Sequence, residues 1–155
     1  MTDGIDIETQ GQSRRIAHLV LDFTGTLSLD GKLLPGVAER LIKLAERVEI
    51  LVLTADTFGT AESALVGLPV EVRIVQTGRD KAEVVAALGP EHVAAIGNGR
   101  NDVEMFRLAG LCLAVIGPEG CSGELISAAH VVVRDVNDGL DLLSNPLRLK
   151  ATLRE

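Results

Sequence analysis

Leu19-Val20-Leu21-Asp22-Phe23-Thr24-Gly25-Thr26 is a run of branched apolar residues that ends in a carboxylate, followed by two hydroxyls around a glycine. Short apolar runs bounded by turn residues predict buried strands. Strands that are apolar on both faces belong to parallel sheets covered by helices. Ligands of such sheets bind just beyond the carboxyl ends of the strands, which is where Asp22 falls. Gly25 lets the backbone turn back tightly, and Thr24 and Thr26 bring hydroxyls close. A carboxylate there can ligate a divalent cation or attack phosphorus. It can also merely cap a turn, as Asp often does, so the rest of the chain has to decide.

Outward from this stretch, apolar runs alternate with amphipathic ones. Strands are expected at residues 16–22, 49–54, 70–75, 93–96, 111–116 and 131–133, and helices at 37–47, 60–65, 81–88, 103–108 and 123–128. Asp80, with Glu83 three residues on, has the spacing of a capping box. Asp30-Gly31 predicts a hairpin turn, hence a small flap over 27–34. The alternation of residues 5–8 suggests a hairpin or edge strand within 1–15, and a helical tail broken at Pro146 fills 136–155. Strand–helix alternation throughout, with no repeat and no linker, predicts one three-layer, Rossmann-like α/β domain over 1–155 with a mostly parallel sheet.

Four polar positions then follow successive strands: Asp22 the first, Thr54 the second, Lys81 the third, and Asn98, Asn101 and Asp102 the fourth. In a parallel sheet these ends share one edge. Each residue alone has a plain structural reading, as a strand-end hydroxyl, a solvated lysine or a helix cap. Together they suit phosphoryl chemistry: Asp22 as nucleophile, Thr54 as hydrogen-bond donor, Lys81 as fixed positive charge, and a hard cation held by oxygen ligands.

Taken in order, Asp22-Phe23-Thr24-Gly25-Thr26, Thr54 in Leu-Val-Leu-Thr-Ala-Asp, Lys81, and Gly97-Asn98-Gly99-Arg100-Asn101-Asp102 resemble the four motifs of the haloacid dehalogenase superfamily. The likeness covers nearly the whole chain and is nearest to the small soluble P-type ATPase-like members, which carry Thr two residues after the nucleophile. It implies a Mg2+-dependent phosphohydrolase with Asp22, Thr54 and Lys81 catalytic. It further implies phosphate contacts from Phe23, Thr24, Gly25, Thr54, Ala55, Lys81 and Asn101. Metal ligation would fall to Asp22, Thr24 through its carbonyl, Asn98 and Asp102.

Two positions depart from the superfamily pattern. Most of its phosphatases have a second Asp where Thr24 stands, which protonates the leaving group and activates water. Asn98 stands where an Asp is usual, which removes a charge from the metal site. The intervals between motifs hold one flap, one helix or one strand, so no cap domain is expected. There is likewise no room for the membrane helices or nucleotide domain of a pump. The competing readings are a regulatory or degenerate member with little turnover, an ATP-hydrolysing one, and a receiver domain, whose acidic pair after the first strand is absent.

A net charge of -7 excludes nucleic acid as the main partner. No apolar run approaches the roughly 20 residues that span a membrane. Cys112 and Cys121 lack metal or redox spacing. The expected setting is cytoplasmic, with a phosphorylated small molecule or phosphoprotein as partner. Oligomeric state stays open, self-association being a trait of uncapped relatives.

Overall fold

The computed structural model describes residues 2–9, 11–56 and 59–154. Residues 1, 10 and 155, which the expected hairpin and tail take in, lie outside them. The strands are β1 (Ile5–Thr9), β2 (Gln12–Ile16), β3 (His18–Asp22), β4 (Ser28–Leu29), β5 (Lys32–Leu33), β6 (Glu49–Thr54), β7 (Glu71–Ile74), β8 (Val93–Gly97), β9 (Leu111–Val115) and β10 (Val131–Val133). The helices are α1 (Val37–Leu44), α2 (Thr60–Ala64), α3 (Gly78–Leu88), α4 (Val103–Leu108), α5 (Gly123–Ala128), α6 (Val136–Ser144) and α7 (Pro146–Leu153).

Six strands form one sheet in the order β10-β9-β8-β3-β6-β7, and every neighbouring pair is parallel. The chain builds outward from β3 through β6 to β7, then returns to β8 and builds the other way. The order therefore reverses between β3 and β8, and such a switch point opens a crevice at the carboxyl ends of the strands.

Strand alternation divides the interior into two cores. Leu19 and Leu21 of β3 pack in a core with Val37 and Leu41 of α1, Leu140 of α6 and Leu149 of α7. Val20 packs on the opposite face with Val85 of α3, Phe106 of α4 and Leu125 of α5. This is the expected three-layer arrangement, and its filling is almost wholly aliphatic. Among the described residues no helix is long and apolar enough to cross a membrane.

Several boundaries differ from the sequence reading. The stretch 16–22 is two strands, split at Ala17, whose N–H donates to the His92 carbonyl and whose carbonyl accepts from Glu49 N–H. Residues up to Ile16 instead form the β1–β2 antiparallel hairpin, which lies apart from the main sheet and feeds Ile5, Ile7 and Ile16 into the first core. Helix α1 stops at Leu44 rather than 47. Arg47 is drawn away to the N-terminal segment, its Nη2 donating to the Gly4 carbonyl at 2.8 Å and its Nε to Asp3 at 2.8 Å. The cap of α3 is Thr77, not Asp80: Thr77 Oγ1 accepts from Asp80 N–H at 3.1 Å, and Asp80 Oδ2 accepts from Thr77 N–H in return. Asp80 thus closes the box from its third position instead of opening it. The flap is a hairpin of β4 and β5 turning at Asp30 and Gly31, with φ of 52° and 81°. Two successive left-handed residues are what an Asp-Gly hairpin turn needs.

His130 fastens the sheet edge, because its Nδ1 accepts the Cys112 N–H at 2.9 Å. Burial and the nearby Arg14 charge hold its pKa below the usual histidine range. In this case the unfolded chain takes up the proton first as pH falls, so this part of the stability is complete at neutral pH and lost below about 6.5. A His130→Gln variant does not titrate there. The stability gap between wild type and variant, measured by urea unfolding, should narrow as pH is lowered from about 7 to about 5.

Candidate active site

Asp22 ends β3, and its neighbours come from three further elements. Lys81 stands in the first turn of α3, whose start is pressed against the loop after β8: a Cβ on Gly78 would lie 2.7 Å from the Asn101 carbonyl oxygen. From there its Nζ reaches Asp22 Oδ1 at 2.9 Å and Asp102 Oδ1 at 2.7 Å. Asp102 closes the loop on itself, accepting from Gly99 N–H through Oδ2 at 3.1 Å. Any side chain at Gly97 would strike this carboxylate, with Cγ only 2.6 Å from the Cβ position.

All three charged groups are buried: Asp22 is 6%, Lys81 1% and Asp102 0% exposed. Burial, reinforced by the Asp102 charge, pushes Asp22 up to about 6 against the pull of Lys81 and Thr26. Burial also works against the Lys81 charge, but the two carboxylates outweigh it and hold the ammonium above the usual lysine range.

A cleft of about 420 Å³ brings together Asp22, Thr24, Thr54, Ala55, Asn98 and Asn101, with Lys81 and Asp102 buried behind Asp22. The Thr54 hydroxyl oxygen accepts from Asp56 N–H at 3.1 Å, which leaves its proton for a ligand. Phe23, expected among the phosphate contacts, is not in the lining of this cleft. Its ring is 1% exposed in the first core, and its carbonyl accepts from the Ser28 hydroxyl and from Leu27 N–H. Gly25 has φ 75°, and a Cβ there would come within 2.6 Å of Asn98 Nδ2, so glycine is required on both counts. The flap borders a separate depression against α2, lined by Gly31, Lys32, Leu33 and Thr60.

Two residues escaped the sequence reading as site members. Asp56 lines the cleft, and the Thr-Ala-Asp after β6 was its visible signal. Thr26 is fully buried, and its Oγ1 lies 3.1 Å from Asp22 Oδ2 and 3.2 Å from Asn98 Oδ1. One hydroxyl proton serves only one of these acceptors at a time. An oxygen lone pair is therefore left over between a carboxylate and an amide. That surplus, with Thr24 lining the same cleft and the Asp102 carboxylate joined to Asp22 through Lys81, fits a small hard cation such as Mg2+. Among the described residues no group of three His, Cys, Asp or Glu side chains suited to a metal is assembled. The set instead mixes carboxylate, amide and backbone oxygens.

The model of the haloacid dehalogenase-like hydrolases matches residues 38–140, and the chain belongs to this family. The match takes in Thr54, Lys81, Asn98 and Asp102 but not Asp22, whose place in the site rests on the geometry above. Two uncharacterised proteins of Methanocaldococcus jannaschii resemble parts of the chain. One is 49% identical over 63 residues, 41% of this chain and 68% of that protein. The other is 54% identical over 39 residues, 25% of this chain and 89% of that protein.

Among solved structures, a putative HAD family hydrolase from Streptomyces avermitilis has a TM-score of 0.69 at 20% identity, over 90% of this chain and 87% of its own. A 3-deoxy-D-manno-octulosonate 8-phosphate phosphatase from Moraxella catarrhalis, solved with magnesium, phosphate and its sugar, has a TM-score of 0.67 at 18% identity, over 90% and 94%. The cobalt-bound form of the corresponding Haemophilus influenzae phosphatase has 0.69 at 14%, over 90% and 94%. At these identities the likeness is one of fold.

Replacing Lys81 with Met leaves two buried carboxylates without a cation. Losing one partner of a buried charge pair costs about 3–5 kcal/mol. Urea unfolding should show a loss of that order for Lys81→Met, and a much smaller change for Arg79→Met, two residues earlier on the exposed side of α3.

Proposed function

We propose that the chain is a phosphohydrolase working through an aspartyl-phosphate on Asp22. The observation that carries this is the pairing of Asp22 with Lys81 at the floor of an open cleft, with the Thr54 hydroxyl donating to no acceptor among the described residues. An oxygen of Asp22 attacks phosphorus, and the bond to the leaving oxygen breaks with its electron pair going to that oxygen. Water then attacks the phosphoryl group, the bond to Asp22 breaks, and phosphate leaves. Lys81 and Thr26 hold the carboxylate in place, and Lys81 and Thr54 favour the charge-rich transition state. Asp22, Asp102, Asn98 Oδ1 and the Thr24 carbonyl would hold Mg2+, which supplies charge neutralisation between carboxylate and phosphoryl oxygens.

Thr24 bears on the substrate. Its hydroxyl neither protonates a leaving group nor activates water at neutral pH, and such help is typically worth about 10²–10⁴-fold. Turnover is slow and favours leaving groups that need no proton. No Lys or Arg is among the described residues lining the cleft, so the further phosphates of ATP lack a cationic partner. A monophosphate of a small molecule or of a protein suits the open site better. Two free cysteines accord with a reducing, cytoplasmic setting. The second reading, a regulatory protein whose phosphoenzyme persists, is favoured by Thr24 and Asn98.

Steady hydrolysis of an aryl phosphate with Mg2+, lost in Asp22→Asn, is the expected result; a single turnover with no steady state would establish the regulatory reading instead. Aryl phosphate turnover should exceed that of a sugar phosphate by about 10²-fold or more, and Thr24→Asp should narrow the gap by raising the sugar phosphate rate.

A further inference from the structure

The loop after β9 ends in a turn, Gly117-Pro118-Glu119-Gly120, closed by Gly120 N–H donating to the Gly117 carbonyl at 3.2 Å. Pro at its second position and Gly at its fourth are the residues such a turn prefers. Several contacts fix it over the site. Gly117 N–H donates to the Arg134 carbonyl at 3.1 Å, and Ser122 N–H to the Asn98 carbonyl at 2.8 Å. Asn98 Nδ2 donates to the Gly120 carbonyl at 3.2 Å. A Cβ on Gly117 would stand 3.1 Å from the Gly25 carbonyl oxygen.

The tip of this pinned turn is Glu119, an exposed carboxylate. Its Cδ lies 3.2 Å from the Cβ position of Gly25, the same point from which Asn98 Nδ2 is 2.6 Å away. The Glu119 carboxylate and the Asn98 amide therefore both stand against the Cβ position of Gly25, and the Oδ1 of that amide is one of the two oxygens that share the Thr26 proton. Among the described residues the Glu119 carboxylate makes no hydrogen bond or ion pair, whereas Glu124, five residues on, is engaged by Arg100 and Arg107. A rigid turn thus presents an uncommitted negative charge next to Asn98, the one neutral side chain among the candidate metal ligands.

We propose that Glu119 is an outer-sphere ligand of the Mg2+ site, accepting a hydrogen bond from a water of the ion's shell and restoring the charge that Asn98 does not carry. This rests on the metal-dependent reading above. Mg2+ keeps several of its waters when bound to protein, so a carboxylate can act on it without direct coordination. Groups one shell out typically tune metal affinity by about 10–100-fold.

The test is calorimetric titration of the full chain with MgCl2 at neutral pH and constant ionic strength, without substrate. Glu119→Gln should weaken Mg2+ binding about tenfold, while Glu124→Gln, an equal loss of charge on the adjacent helix, leaves it unchanged. Asn98→Asp should tighten binding and shrink the effect of Glu119→Gln. Unchanged affinity in Glu119→Gln, or an equal loss in Glu124→Gln, overturns the assignment while leaving the metal reading intact. A wild-type chain that binds no Mg2+ overturns both.

Discussion

One ammonium between two carboxylates, all three out of water, is the constraint to which the rest of the molecule answers. Isolated charges in a protein interior cost several kcal/mol each, recovered only when the geometry is good and the remaining lone pairs are filled. Here every component of that geometry is supplied by a different element. Strand β3 delivers Asp22 to the sheet edge. The cap at Thr77 starts α3 where its first turn can send Lys81 inward. The loop after β8 folds on Gly99 to aim Asp102. Gly78 and Gly97 are small because the backbone and carboxylate they face leave no room for a side chain.

The topology explains why these elements meet. The two strands nearest the charges, β3 and β8, are neighbours in space though some seventy positions apart in sequence, because the chain reverses its direction of building between them. Their following helices pack into opposite cores, α1 into one and α4 into the other. The crevice between the departing chains is what remains open to a ligand. Among the described residues no domain covers it, so exclusion of water from the cleft depends on what binds there.

Much of this was legible in the residues. β6, α5, β10 and the break at Pro146 fall where apolar periodicity and turn residues put them, and Asp22, Thr54, Asn98 and Asn101 do line one cleft. What the residues could not reveal was decided by contacts between distant segments. Ala17 interrupts an apparently continuous strand because its backbone is claimed by His92 and Glu49. Beyond Leu44 the last turn of α1 tightens, with Glu46 and Arg47 N–H donating three residues back, while the Arg47 side chain reaches the Gly4 carbonyl. Local spacing offered Asp80 as the cap, and the extended backbone at Thr77 moved the start of the helix three residues earlier. Thr26 is plain in the motif, but its shared proton is visible only once Asn98 has been folded against it.

The buried triad holds two negative charges and one positive. In the proposed reaction, joining Asp22 to a phosphoryl group cancels its charge in the interior and transfers anionic character to oxygens at the mouth of the cleft. Lys81 and Asp102 are then a balanced couple. The protein's covalent state is thereby displayed outwardly as a change of field at an uncovered surface, where a molecule too large to enter could still sense it.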